Sequence, residues 1–429
     1  MDPQPLAGKP LRVALLGLGS VGRPVAERLL DQGWRANVTS RGVTAPVLVA
    51  VGVRDPDRPR GIELPPSVRR TDDLAALAAD PEIDVVVELI GGTEDARVAV
   101  DAAIAAGKSV VTGNKALIAA HGVRLEADAR AAGVALRFEA AVAGGVPVLG
   151  PLVRDLAANR IEAVRGILNG TTNHILTAMA RDGRSYDDVL DEAITRGYAE
   201  SDPSGDVEGM DAANKLVILA RLAFGEWPDV TALRRATPAV KGDASPGITA
   251  IQTRELARAA DLGLTIKLVA RAERAAEGGF TAAVTPAAVP LTSALGQTNG
   301  VTNLVEVIGT PVGRVAFRGP GAGGDATSSS VLGDVLALAR AEGSTWEPLP
   351  VAGPAREVPD DLVEPRSWFF AAVDLVGGHI PGRIAEAALA TSDEAIVTRP
   401  IALDDLRSRL VDFDYTDVTL YPVLEMGQG

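Results

Sequence analysis

The feature that most constrains this chain is a short apolar run, LRVALLG from Leu11, that meets three spaced glycines and passes directly into the helical spacing of Val21, Val25, Leu29 and Leu30. Strand, tight turn and helix in that order give the glycines of GLGSVG separate tasks. Gly17 permits the turn, Gly19 lets backbone approach a pyrophosphate, and Gly22 lets helix pack on strand. The helix N-terminus, entered through Ser20 and Val21, offers amide donors and a positive dipole end to phosphates. An ordinary glycine turn is the competing reading, and the flanking strand and helix decide for dinucleotide binding.

Apolar runs at Ala45–Val53, Ile83–Ile90, from Ser109 and from Val134 alternate with helical stretches at Thr71–Ala79, Ala96–Ala106 and through Ala127. Such alternation predicts an α/β fold, a parallel sheet covered by helices on both faces. We assign residues 1–140 to this Rossmann-type nucleotide-binding domain, completed by 319–341. Beyond Pro151 the texture changes to α+β. IEAVRGILNGT reads as strand into turn, helical stretches follow around Tyr186–Arg196 and Met210–Phe224, and strand-like runs follow at Leu264–Ala270, Phe280–Val284, Asn303–Ile308 and Arg314–Phe317. This second domain spans 141–318. The Pro-rich stretch within 342–366 reads as a linker, and 367–429 as a small terminal α+β module.

Composition removes whole classes of function. The chain has 429 residues and no cysteine, so disulfides, Cys-ligated zinc and thiol nucleophiles are excluded, and carbonyl chemistry through a thiohemiacetal with them. A net charge of −14 offers no basic stripe, so nucleic acid is not expected as a partner. No stretch approaches the length of a membrane span and the start lacks a signal-peptide pattern, so a soluble, cytoplasmic protein is expected. His121, His174 and His379 show no ligand spacing and carry no assigned chemistry.

Candidate chemistry gathers at strand ends and in one long motif. After the second strand, Arg54 suits a 2′-phosphate and Asp55 a free 2′-hydroxyl, and both also suit a solvated turn; Arg54 follows the strand immediately and tilts the reading towards NADP. Thr93 follows the fourth strand, where a nicotinamide would lie. Lys115, in VVTGNKAL, falls at the carboxyl end of a strand, the edge where open α/β sheets bind ligands. GYAESDPSGDVEGMDAANKLVILA carries Glu200, Asp202, Asp206 and Glu208 in a loop, then Asp211 and Lys215 four apart on a helix. Such a pair is usually a surface ion pair, but the apolar helix around it favours partial desolvation, which would tune the lysine as a proton donor. NGTTNHIL sets amide and hydroxyl groups ahead of a helix, as a polar substrate site or as a cap by Thr171 or Thr172.

GLGSVG, VVTGNKAL, FEAAVAGGVPV, ILNGTTNHIL, GYAESDPSGDVEGMDAANKLVIL and FRGPGAGG, in this order and spacing, resemble homoserine dehydrogenase over about Leu11 to Ala339. The resemblance implies NAD(P)H-dependent interconversion of aspartate 4-semialdehyde and homoserine. It also implies a nucleotide domain joined to a substrate and dimerisation domain, and hence a homodimer or higher homo-oligomer. It makes Lys215 the proton donor with Asp211 beside it, and Lys115 a second essential lysine between cofactor and substrate. Glu200 would bind the substrate ammonium, with Asp206, Gly170 and Thr171 in the same pocket, while Thr93 and Gly323 would touch the cofactor. Backbone carbonyls of Glu139, Val142, Gly144 and Val146 would hold a monovalent cation, sodium or potassium.

The tail departs from the long members of that family, which end in an ACT-type regulatory domain. Here GGHIPGRIAEAALA reads as a degenerate version of its turn and helix, and threonine control is not expected. Another amino-acid reductase with a similar nucleotide domain, and a non-catalytic NAD(P) sensor, are the alternative readings; the two lysines argue against the sensor.

Overall fold

The structure is a computed structural model and describes residues 9–199, 202–362, 364–371, 382–411 and 418–424. Its chain divides into two compact units. One comprises the described residues to Asn159 with Val217–Trp227 and Gly319–Ala355; the other comprises Arg160–Leu216, Pro228–Arg318 and the described residues from Arg356.

The first unit is built on β1 (Arg12–Leu16), β2 (Val47–Gly52), β3 (Arg69–Thr71), β4 (Val85–Glu88), β5 (Ser109–Thr112) and β6 (Leu136–Arg137), in the spatial order β3-β2-β1-β4-β5-β6. All neighbours run parallel. Strands covered on both faces read as continuous apolar runs, which is why RVALL and VVV are so uniform. The order reverses between β1 and β4, the point at which open sheets of this kind bind ligands beyond their carboxyl ends. β3 was not expected: RRT is short, charged and largely exposed at a sheet edge, so it has no alternation to read. The helix expected over 71–79 accordingly shrinks to Leu74–Ala78, capped by Asp73, which accepts from the Ala76 amide at 3.0 Å. The late helix Gly324–Ala339 returns Val331, Leu332, Val335 and Leu338 to the core around Val13, Leu15, Val85 and Val87.

The second unit carries an antiparallel sheet of β7 (Arg160–Ile167), β10 (Leu264–Arg274), β11 (Phe280–Pro290), β12 (Thr302–Thr310) and β13 (Gly313–Pro320), ordered β11-β10-β7-β12-β13. A two-stranded ribbon of β8 (Ala236–Pro238) and β9 (Asp243–Pro246) flanks it. Helices Gly170–Asp182, Tyr186–Thr195 and Thr253–Asp261 belong to this unit, as does the start of Met210–Phe224.

The tail forms a four-stranded antiparallel sheet in the order β15-β16-β14-β17 from β14 (Trp368–Ala371), β15 (Ala388–Ser392), β16 (Ala395–Thr398) and β17 (Tyr421–Pro422), with helices Gly382–Ala385 and Leu403–Val411. It does not stand alone. Its buried Trp368, Phe370, Ile396, Leu406 and Leu410 pack with Val240 from the second unit's body. Arg271 on β10 is fully buried against Asp361, Nη2 to Oδ1 at 2.9 Å, and Arg366 joins the same carboxylate at 2.7 Å. The expected linker is likewise tied down: Arg130 donates to the Trp346 and Leu349 carbonyls at 3.2 and 2.9 Å. Most of GGHIPG in the expected ACT-type turn, including His379, lies outside the described residues.

Candidate active site

In the first unit the glycine turn has the shape its spacing demands. Gly17 takes φ 95°, and a Cβ there would meet the Leu89 carbonyl oxygen at 2.5 Å; a Cβ on Gly22 would overlap the Gly17 carbonyl. Gly19, by contrast, faces open space, so backbone there is free to approach a phosphate. Val21 stands at the cap of helix Gly22–Leu30 and no side chain caps it, which leaves first-turn amides for an anion. Gly324 presses on the Ser20 carbonyl so closely that no Cβ fits, and Gly323 before it takes φ 106°. The late GPGAGG segment is thus packed on the turn.

Thr93 and Lys115 follow the neighbouring strands β4 and β5 at the same edge. Thr93 precedes helix Glu94–Ala105 without capping it through its side chain. Lys115 opens helix Lys115–Ala132, whose cap is Asn114, accepting from the Leu117 amide at 3.1 Å.

Beyond β2, Arg54 pairs with Asp95 at 3.4 Å with both side chains mostly exposed, a contact worth little in water. Asp55 closes its own turn, accepting from the amides of Asp57 and Arg58 at 3.1 Å. Arg23, Arg58 and Arg60 instead line a cavity of about 350 Å³ with Leu18, Gly19 and Ser20. Arg58 and Arg60 lie beyond the strand end that marks a ribose site, and the arginine spacing of RDPDRPR is their local signal, while Arg23 follows the glycine turn directly.

The second unit gathers the acidic motif around one lysine. Lys215 and Asp211, one turn apart, are about nine-tenths buried, and Lys215 Nζ donates to Asp211 Oδ2 and to the Leu168 carbonyl, both at 2.6 Å. Among the described residues these are its two acceptors, so one of three ammonium donors remains for a ligand oxygen. Asn169 spans the cluster: its Nδ2 donates to Asp206 Oδ1 at 2.7 Å and Asp211 Oδ2 at 2.9 Å, while its Oδ1 caps the helix by accepting from the Thr172 amide at 2.8 Å. The cap is therefore Asn169, not Thr171 or Thr172. Thr171 donates to the Tyr198 carbonyl at 2.7 Å, and Gly170 is the first residue of the helix. Burial, and next the nearby Asp211 carboxylate, push the Asp206 carboxyl above its ordinary range. Two carboxylates against one ammonium leave this cluster short of positive charge. Glu200 lies outside the described residues.

The family pattern for homoserine dehydrogenase matches residues 147–336, and that for the homoserine dehydrogenase NAD binding domain matches residues 17–139. Homoserine dehydrogenase of Corynebacterium glutamicum is 40% identical over 412 residues, 93% of this chain and 87% of that protein. The chain belongs to the homoserine dehydrogenase family. The family's enzyme from Synechocystis is 43% identical over 329 residues, 76% of this chain and 72% of that protein. A homoserine dehydrogenase crystal structure from Thiobacillus denitrificans matches with a TM-score of 0.84 at 32% identity, covering 98% of this chain and 99% of that one. As a homoserine dehydrogenase, an oxidoreductase acting on CH–OH, the chain interconverts L-aspartate 4-semialdehyde and L-homoserine in the threonine and methionine branch of aspartate-family biosynthesis, with a nicotinamide dinucleotide. No helix among the described residues is long and apolar enough to cross a membrane.

Proposed function

We propose that Lys215 is the proton donor to the semialdehyde oxygen, oriented by Asp211 and the Leu168 carbonyl. The buried 2.6 Å contact between Lys215 and Asp211 carries this reading, because a carboxylate and a carbonyl fix the ammonium while leaving one donor for the substrate. Asp206 and Glu200 receive the substrate ammonium, with Gly170 and Thr171 beside them, and the negative balance of the cluster supports that assignment. Lys115 serves as the second essential lysine, on the cofactor side.

Gly17, Gly19, Ser20, Val21 and Gly22 would hold the pyrophosphate, and Thr93, Lys115 and Gly323 the nicotinamide half. The open space at Gly19 fits such a group. When bound, the nicotinamide supplies or accepts the hydride at the substrate's C4. We favour NADP, gripped at its 2′-phosphate by Arg54 together with Arg58 and Arg60, since guanidinium forks suit phosphate.

A sodium or potassium ion would bind the carbonyls of Glu139, Val142, Gly144 and Val146. In support, this loop is largely buried and irregular, with Ala143 and Gly144 both at positive φ, 54° and 51°. Glu139 would contribute only its carbonyl, for its carboxylate already accepts the amides of Val148, Leu149 and Gly150 at 2.6 to 2.8 Å. A cytoplasmic homodimer completes the proposal. The exposed edge strand β13 and exposed Val301 and Val312 support assembly through the second unit. The tail serves assembly or stability as an ACT-like remnant.

Glu200→Gln tests the substrate assignment. The Michaelis constant for homoserine should rise while that for the cofactor stays within about twofold; unchanged constants for homoserine and semialdehyde would remove Glu200 from the site.

A further inference from the structure

We propose that Glu88 is a positioning residue that ties the ends of β4 and β5 together so that the Gly91–Thr93 turn and Lys115 meet the nicotinamide half of the cofactor. This rests on the reading that these strand ends receive that half.

Glu88 ends a central strand, flanked in register by Leu16 of β1 and Thr112 of β5. It is fully buried. A glutamate is poorly suited to a strand and costly to bury, so three valines followed by Glu88 break the local pattern without a packing reason. Its partners are neutral donors from both strand ends. Oε1 accepts from the Ile90 amide at 2.9 Å, and Oε2 accepts from the Thr112 hydroxyl. Thr112 Oγ1 in turn accepts from the Asn114 amide at 2.9 Å, and Asn114 Nδ2 donates to the Gly92 carbonyl at 2.6 Å. One carboxylate thus fixes the turn before Thr93 and, through Thr112 and Asn114, the capping residue of the helix that Lys115 opens. Gly91 and Gly92 both take positive φ, 73° and 70°, so the turn lacks the stiffness of ordinary backbone and relies on these bonds.

The decisive experiment compares Glu88→Gln, Thr112→Val and Thr112→Ser with the parent. Affinities are measured by fluorescence for NADPH and for 2′-phospho-ADP-ribose, which lacks the nicotinamide; NADH and ADP-ribose replace them if NADH is the tighter ligand. Glu88→Gln and Thr112→Val should weaken the complete cofactor about tenfold, the equivalent of one lost hydrogen bond, and leave the truncated ligand within about twofold. Thr112→Ser, which keeps the hydroxyl, should restore the parent value. Equal weakening of both ligands, or no change in either, overturns the proposal. If Glu88→Gln does not fold, the two Thr112 variants decide. A parent that binds cofactor but leaves homoserine untouched would refute the substrate reading and leave this comparison intact.

Discussion

Lys215 Nζ lies 2.6 Å from Asp211 Oδ2, one turn away on the same helix, with both side chains about nine-tenths buried. On a solvated helix face that spacing is worth about 0.3–0.5 kcal/mol. Here both side chains are largely withdrawn from water, so removing one partner strands the other charge. Asp211→Asn keeps the shape and removes the counter-charge. Its kcat should fall at least about tenfold while cofactor affinity is retained, as read by initial rates beside fluorescence titration.

Asp206 should set the acid limb of catalysis. Its carboxyl protonates above the ordinary carboxylate range, first because of burial and then because of Asp211, so its hold on a substrate ammonium weakens as pH falls through that raised value. Asp206→Asn should raise the Michaelis constant for homoserine and flatten the acid side of the kcat/KM profile. An unaltered profile would show that Asp206 does not meet the substrate.

Arg58 and Arg60 border the cavity at Gly19 and Ser20, whereas Arg54 lies outside its lining. Arg58→Ala and Arg60→Ala should therefore cost more NADP affinity than Arg54→Ala, with little effect on NAD. Equal losses for both dinucleotides would count against a 2′-phosphate role for this loop.

Asp361 ties the stretch that leads into the tail to β10. Burial pushes its carboxyl up, but Arg271 and Arg366 outweigh that and hold it down at about 2. A depressed folded-state value means that the stabilisation is present above the ordinary carboxylate range and is lost as pH falls towards about 2. Asp361→Asn leaves two arginines without a counter-charge and should lower stability by about 3–5 kcal/mol at neutral pH. The gap in Tm between parent and variant should narrow between about pH 4 and pH 2, and a constant gap would show that the carboxylate is not what matters.

Much of this architecture is legible in the chain because the signals are local. Apolar runs of strand length, glycines at fixed offsets and one helical period place β1, β2, β4 and β5 and the glycine turn. The strand cores of the second sheet are equally plain, from Leu264, Phe280, Asn303 and Arg314. What escapes is set by contacts distant in sequence or by side chains that do two jobs. Arg271 and Asp361 are 90 residues apart, so nothing local marks the approach to the tail as part of the second unit. Asn169 reads as one polar residue among several, yet it both caps a helix and bridges Asp206 and Asp211. Glu88 looks like the end of a strand run, and only its partners reveal why a carboxylate is buried there.

The central claim is that Lys215 delivers the proton to the semialdehyde oxygen and takes no part in holding the cofactor. Its most direct test is the rate of NADPH oxidation with aspartate 4-semialdehyde for Lys215→Ala, measured beside the NADPH dissociation constant of the same variant. We expect turnover to drop by about 10²–10⁴-fold with the dissociation constant within about twofold of the parent. Turnover near that of the parent would contradict the account.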